Sequence, residues 1–482
     1  MRPTVAATFT ILLFLGIFII ATKNVSDPDF WWHLRAGQYI VETRTIPHED
    51  PSFSDTAHGR EWVAEEWLSE VVFWKVFQLG GLPLLSLFFS VLITSAFALA
   101  YLRSPAKPYL AGFATLLGAL ASLPILGVRP QMFTLLFLSV YVHILETFFV
   151  KPRWAILAGL PLVMLLWVNL HGGFFLGLAV MFGYLAGKGF ELAFRIFPDD
   201  EAAPRYGPRD LWLLAAALAV CVAVVGVNPN GFRMLSYPFE TLSNPAIQRY
   251  LVEWLSPDFH EAGWQPLLVL LFGLLGSGMY VRRRFSPTHI GLILTSGYAA
   301  LRSVRNVPLF SLLAIPILAA QAEKLAPLHS SSQPAPRPIQ WALGGVLLLA
   351  LGATMVSVTT LLGRQSRLIQ QANPVAAADW ILENRPEGKI YNTYHWGGYL
   401  IWRLFPAYGV IVDGRSDLYS PEFIEEYVDT YYARPGWAEF LKRNDVRIVL
   451  IEPGSLLAAQ LGQSPEWREV FADDLSILFE KR

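Results

Sequence analysis

The run Ser26–Asp27–Pro28–Asp29–Phe30–Trp31–Trp32–His33–Leu34–Arg35 gathers two carboxylates, an imidazole and a guanidinium. On a helix, Asp29 and His33 fall at i and i+4 with Trp32 beside them, so they can share one face. A carboxylate in that setting could deprotonate an acceptor hydroxyl, and could also hold a divalent cation. A plainer reading fits the same residues. Asp27 would cap a helix, Pro28 would take its first position, and Asp29 would sit well on the helix dipole. Phe30, Leu34, Gly37 and Val41 would then form an apolar face, with Trp31 and Trp32 at headgroup depth. That geometry explains Asp27. It gives no reason for a second carboxylate, a histidine and an arginine within two turns. Farther on, His48–Glu49–Asp50 and Glu65–Glu66–Trp67 add polar groups, and Glu65 and Glu66 read as a solvated helix face.

Other polar residues interrupt apolar sequence. Arg129 could snorkel to headgroups or pair with a lipid phosphate through its planar fork. Asn169 and His171 either cap two helix ends or belong to a site, since polar groups at membrane depth default to function. Arg302 and Arg305 form a cationic pair that either snorkels or binds a phosphate group. Asn228–Pro229–Asn230–Gly231 reads as a turn.

These groups must be carried by membrane helices. Of the 482 residues, 54% are hydrophobic and only 16% charged, against about 25% charged in soluble domains. Eleven apolar runs are read as spans, several approaching the ~20 residues of a spanning helix and those near 154–168 and 307–320 short enough to be tilted or partly buried helices. They begin with an uncleaved anchor at about 6–22 and end near 340–362. With 37 basic and 38 acidic side chains, no basic surface for nucleic acid is implied. The single cysteine, Cys221, excludes a disulfide framework or a thiolate metal site.

Lys and Arg mark the cytoplasmic side. They concentrate on alternate loops: Arg103 with Lys107, Lys151 with Arg153, Arg195 with Arg205 and Arg209, Arg282–Arg283–Arg284, and Lys324 with Arg337. The N-terminus is then inside, and the chain beyond Gly363 is outside. The same assignment puts the 23–81 loop, Arg129, Asn169, His171, Arg302 and Arg305 on the outer side, and predicts chemistry confined to that face.

From about residue 364 the chain turns polar and predicts an outer α/β domain over 364–482. Strands are expected at Lys389–Tyr394, Val410–Asp413, Val446–Ile451 and Ile477–Glu480. Helices are expected at about 374–384, 421–432, 436–443 and 454–461. The domain carries His395–Trp396–Gly397–Gly398–Tyr399 and Asp413–Gly414–Arg415–Ser416–Asp417. Asp413, Arg415 and Asp417 form either an ion-paired surface turn or part of a cleft with His395 and Trp396.

A membrane-embedded N-terminus followed by an outer loop with a key aspartate resembles the GT-C glycosyltransferases. The spacing Asp29–x5–Arg35–x3–Tyr39–Ile40–Val41 resembles the start of the catalytic subunit of oligosaccharyltransferase. Bacterial GT-C proteins with a DPDxWWHLxxG start look closer still. The resemblance implies a polytopic α-helical fold of about 11 spans, with residues 1–363 as the membrane domain. It implies Asp29 as the catalytic and metal-facing residue, supported by Asp27 and His33, with a Mg or Mn ion as the candidate cofactor. Arg129, Arg302 and Arg305 would hold the phosphate of a polyprenyl-linked sugar donor. Asn169, His171, His395, Trp396, Asp413, Arg415 and Asp417 would line the cleft for a protein or glycan acceptor. The loop around Arg129 lacks the acidic metal motif of those relatives, and the His395–Tyr399 segment lacks the central aspartate of their acceptor motif. The rival reading from another class is a non-catalytic transporter or assembly factor for lipid-linked glycans, working from the same cytoplasmic membrane.

Overall fold

The structure is a computed structural model that describes residues 4–197, 205–243, 252–281, 285–326 and 336–482. The Arg282–Arg283–Arg284 triplet lies outside the described residues. The chain divides into two compact units. One comprises Met1–Lys23, Ser86–Pro238 and Leu251–Leu362; the other comprises Asn24–Leu85, Phe239–Tyr250 and Gly363–Arg482. The first long loop is therefore folded together with the C-terminal segment.

The first unit is helical. Seven helices are long and apolar enough to cross a membrane: Trp67–Arg103, Gln131–Val150, Gly172–Phe194, Pro208–Val225, Ala262–Tyr280, Val304–Leu325 and Arg337–Ala372. Val5–Ala21, Tyr109–Ser122 and Trp154–Leu170 are shorter apolar helices. Length and composition alone do not fix the number of crossings at eleven. A core of Ala121, Leu267, Leu270, Ala300, Val307 and Phe310 joins four helices, the fourth being Pro287–Arg302. Lipid offers no hydrophobic drive for helix association, so close approach at small residues matters more. At Gly118 a Cβ would collide with Ile315 of the facing helix.

The helix beginning at Trp67 is broken where Gly80 and Gly81 leave helical geometry, Gly81 having a φ of +63°. Glycine reaches that left-handed region without a Cβ penalty. The break falls close to the boundary between the units.

The second unit is α/β. Strands β1 (Lys389–Asn392), β2 (Val446–Ile451), β3 (Trp467–Ala472) and β4 (Ile477–Lys481) form one sheet in the order β1-β2-β4-β3. β1 and β2 are parallel, and the other pairs are antiparallel. Helices Val375–Asn384, Pro421–Tyr431, Trp437–Arg443 and Leu456–Gln463 lie close to their expected places. Two differences stand out. Val410–Asp413 forms only isolated bridges, from Val410 to Ser54 and to Ile390, because the first loop supplies its hydrogen bonds: Val410 N–H donates to Phe53 O at 3.1 Å, and Asp55 N–H to Val410 O at 2.9 Å. β3 was not expected, because its exposed, charged residues (Arg468, Glu469) mask the strand pattern.

Arg415 ties the loop to the C-terminal segment. It bonds Asp413 through three N–H groups at 2.8–2.9 Å and Asp50 at 2.6 Å. Its guanidinium carbon lies 5.2 Å from the Phe53 ring centre and 4.8 Å from that of Trp62. All three charged side chains are buried to 1% exposure or less. Arg415→Gln leaves two buried carboxylates without their cation, which should cost about 3–5 kcal/mol. A large fall in melting temperature of the detergent-solubilised protein is the expected result. Arg447→Gln, at an exposed side chain, should stay within ~0.5 kcal/mol of the parent.

Candidate functional site

The Phe30–Thr43 helix has Asp29, not Asp27, at its N-cap position. Asp27 closes the preceding turn: its carboxylate accepts the Asp29 N–H at 3.0 Å and its carbonyl the Phe30 N–H at 3.2 Å. The Asp29 carboxylate makes no capping bond to the helix. It lies against Gly414 so closely that a Cβ there would overlap it. Tyr394 feels the charges of Asp29, Asp413 and Asp417. Burial first, and then these carboxylates, push the Tyr394 hydroxyl well above its ordinary pKa, so it stays a proton donor. Asp417 is exposed at the same turn.

Small residues permit this arrangement. Gly37 lets the helix ride on the Glu70 carbonyl, and Gly398 meets the Pro28 carbonyl and Trp32. Gly397 meets the backbone of Val412 and Asp413. The glycine pair in His395–Trp396–Gly397–Gly398–Tyr399 is thus where two segments pass close to a helix start. Arg35 secures the next turn, donating to the Phe405 carbonyl at 2.9 Å and lying 4.9 Å above that ring.

The remaining residues expected near Asp29 are placed otherwise. His33 is buried, with its ring nitrogens 3.5 Å from Glu66 and 3.5 Å from Glu70 and its ring centre 3.6 Å from that of Trp32 at a tilt of 33°. Glu66 is therefore not part of a solvated face; its side chain is only 13% exposed. Trp31 and Trp32 are 6% and 8% exposed and pack on Tyr399 and Trp62, so they belong to the protein core and not to a headgroup layer. Asp413 and Arg415 are committed to each other, to Asp50 and to the Tyr419 hydroxyl, and are buried where a surface turn or cleft wall was expected. Burial raises the Asp413 carboxyl, but the charge and hydrogen bonds of Arg415 outweigh it and hold the group below its usual value. The Trp396 indole is buried, donating to the Ala372 carbonyl at 3.1 Å, while His395 is half-exposed, 3.8 Å from Glu452.

In the helical unit a second cluster forms around His171, which feels the charges of both Arg129 and Arg305. Arg129 is ion-paired with Glu253, and Arg305 lies 4.6 Å over the Trp254 ring. The Glu253–Leu255 stretch is stitched to the following helix start by Ser303 Oγ donating to Glu253 O at 2.7 Å and Val304 N–H to Leu255 O at 3.0 Å. Arg302 ends its helix on the exposed surface. His171 is a cap: its Nδ1 accepts the Gly173 N–H and meets Thr134 Oγ1, each at 2.8 Å. Asn169 bonds back to Leu165 O and receives Asn228 Nδ2 at 3.3 Å. This end brings two guanidiniums near His171 with one carboxylate beside Arg129, a composition suited to an anion. Glu253 and Trp254 escaped notice because their loop shows no chemical spacing. Tyr394 escaped because only the fold brings it near Asp29.

No family model matches the sequence, and no curated protein matches it. Among solved structures, an oligosaccharyltransferase from Archaeoglobus fulgidus in complex with Zn and sulfate is similar over 98% of this chain and 73% of its own. The identity is 12% and the TM-score 0.51. A variant of the mycobacterial arabinofuranosyltransferase AftD is similar over 98% of this chain at 14% identity and a TM-score of 0.52. The fold is that of the GT-C membrane glycosyltransferases. ArnT from Cupriavidus metallidurans bound to undecaprenyl phosphate also matches, over 97% of this chain and 96% of its own, at 12% identity and a TM-score of 0.47. The present chain spans about two fifths of the length of the arabinofuranosyltransferase, 41% of the variant chain.

The zinc of the archaeal protein invites a test of this chain's own donors. Among the described residues no three His, Cys, Asp or Glu side chains converge as a metal site. Asp413, the nearest partner in sequence logic, has one oxygen taken by Arg415 and the other by Arg415 and Tyr419. The residues around Asp29 do not fit a divalent cation.

Burial and then the charges of Arg305 and Arg129 lower the His171 pKa to about 3. In the unfolded chain the group titrates near its ordinary ~6.5. The unfolded state therefore binds the extra proton first on acidification, and stability falls as pH drops from about 6.5 toward 3. The expected slope is up to ~1.4 kcal/mol per pH unit, and none above pH 7. Melting curves of the parent and of His171→Gln between pH 7.5 and 5 check this; the variant should lose that part of the slope.

Proposed function

We propose that the chain is a GT-C-type glycosyltransferase moving a sugar from a polyprenyl-phosphate-linked donor to a protein or glycan acceptor outside the cytoplasmic membrane. The observation that carries this reading is the Asp29 carboxylate, held beside Gly414 at a helix N-terminus and not spent on capping it. In this role Asp29 removes the proton of the acceptor hydroxyl as the oxygen attacks the anomeric carbon. The bond from that carbon to the donor phosphate breaks, and the anionic leaving group needs cations. Arg129, Arg302 and Arg305 fill that role, the donor phosphate competing with Glu253 for Arg129. Tyr394 and the exposed Asp417 are the groups beside Asp29 suited to orienting an acceptor. Asp27 shapes the turn that presents Asp29. Asp413, Arg415 and His33 act as supports through their buried ion pairs.

The units also bear on topology. Residues 24–85 and the segment from Gly363 are parts of one unit, so they share a side of the membrane. The chain between them must then cross an even number of times. All seven long apolar helices lie after residue 66, which requires an odd number of the shorter helices to cross as well. Tyr109–Ser122 and Trp154–Leu170 lie in that interval, and the 16-residue helix Pro287–Arg302 makes a third, in keeping with an inside N-terminus and an outside C-terminal segment. A reporter fused after Arg364 should be extracytoplasmic, and one between Phe285 and Ser286 cytoplasmic. Reversed signals would remove the outer-face assignment.

Asp29→Asn preserves size but removes the base, and transfer in membranes at matched expression should fall ~10²–10⁴-fold. Asp27→Asn should be mild, because Asn accepts the same turn bond. Full transfer by Asp29→Asn would leave a non-catalytic glycolipid transporter as the better reading.

A further inference from the structure

The end of the helical unit away from Arg129 and Arg305 carries buried charges of its own. Three helices connect the two ends. Gln131–Val150 starts beside Arg129 and carries Glu146; Pro287–Arg302 ends at Arg302 and carries His289 near its start; Val307–Leu325 follows Arg305 and carries Pro316 and Ala320. The rise from Arg129 to Glu146 is about 25 Å at ~1.5 Å per residue, comparable with the ~30 Å hydrocarbon core.

A cavity of about 310 Å³ lies at this far end, lined by apolar residues such as Val142, Phe149 and Ile317 and by Arg103, Glu146, Tyr184, Lys188 and His289. The charge of Lys188 is cancelled outside the cavity lining. Lys188 is 2.8 Å from Glu191, which also accepts from Tyr206 at 2.5 Å, from Thr288 at 2.8 Å and from Ser286. That carboxylate is saturated.

Arg103 and Glu146 are in a different state. The Arg103 side chain is 2% exposed; Nη2 donates to Leu312 O at 2.8 Å and Nη1 reaches Glu146 at 3.3 Å. Its Nε is buried and has no acceptor among the described residues. Glu146, 27% exposed, otherwise meets the Tyr184 hydroxyl at 3.5 Å and His289 at 3.9 Å. Charge-assisted bonds close to about 2.7–2.9 Å when nothing holds the partners apart. Here a buried cation short of an acceptor and a loosely held carboxylate face one cavity. Its rim includes the half-exposed Val150 and the 39% exposed His289 side chain. A ligand with both a phosphate and a primary ammonium satisfies each in turn.

We propose that this cavity binds the headgroup of an aminophospholipid, with the phosphate on Arg103, the ammonium on Glu146, and the acyl chains leaving past Val150 into the bilayer. The site is separate from the glycosyl-transfer reading and does not depend on it. Binding is non-covalent.

The test uses the full chain, delipidated in detergent, with phosphatidylethanolamine, phosphatidylcholine or phosphatidylglycerol added and bound lipid read by native mass spectrometry. Phosphatidylcholine keeps the phosphate but cannot donate from its quaternary nitrogen; phosphatidylglycerol has no amine. Phosphatidylethanolamine should bind about tenfold better than either, the worth of one charged hydrogen bond. Glu146→Gln should remove that preference while phosphate binding persists, and Arg103→Gln should weaken all three lipids. Should Arg103→Gln fail to fold, the near-isosteric Glu146→Gln decides alone. Equal binding of the three lipids, or a preference that survives Glu146→Gln, overturns the proposal. Glycerophosphoethanolamine, a headgroup without acyl chains, should compete poorly. Competition at equal concentration would assign the cavity to a soluble phosphate-amine and overturn the lipid.

Discussion

The guanidinium of Arg415 is buried between Asp413 and Asp50, residues separated by most of the chain. A charge taken out of water must be repaid by close partners, and removing one partner strands the others. Arg415 therefore cannot be satisfied by the C-terminal segment alone; it needs the carboxylate that the first loop delivers. Phe53 and Trp62 complete the shell from the same loop, with their ring faces toward the guanidinium. Burial and the two carboxylates act in opposite directions on Arg415, and the carboxylates prevail, so it stays charged.

The position of Asp29 follows from that constraint. Once Asp413 is anchored, the turn at Gly414 is fixed in place, and only a residue without a side chain leaves room for the Asp29 carboxylate. Gly397 and Gly398 serve the same fit from the other side, accepting Val412 and Pro28 at distances that any Cβ would forbid. The aromatic residues Trp31, Trp32 and Tyr399 fill the space around this backbone contact. A packed setting of this kind holds the Asp29 carboxylate in one geometry, as the proposed proton transfer would require.

Much of this was legible in the sequence where the signal was local. The apolar runs, the helices after Asn373 and the unusual density of polar groups around Asp29 all rest on short-range pattern. What escaped depends on partners distant in the chain. Val410–Asp413 has the apolar run of a strand, yet its hydrogen bonds go to Phe53 and Asp55. Asp413 and Arg415 have the composition of a surface turn, yet Asp50 makes them a core. Trp31 and Trp32 fit a membrane interface equally well until Tyr399 and Trp62 are known to cover them. The helix begins two residues later than expected, so Asp29 stands at its N-cap position and Asp27 closes the turn before it.

The loop charges that assign the two faces also conceal which cations are buried. Lys/Arg counting assigns sides but does not say whether a given cation lies in water or inside the bundle. Arg103 and Lys188 were counted with, or overlooked beside, the solvated loop charges, yet both are buried among carboxylates and hydroxyls. Burying two cations and two carboxylates among apolar helices is costly unless each has a full set of partners. Glu191 has one, through Lys188, Tyr206, Ser286 and Thr288, and is accounted for as structure. Arg103 and Glu146 lack the close contact that would account for them in the same way. The physical distinction between the two pairs, one saturated and one slack, is what separates a structural ion pair from a site in this end of the bundle.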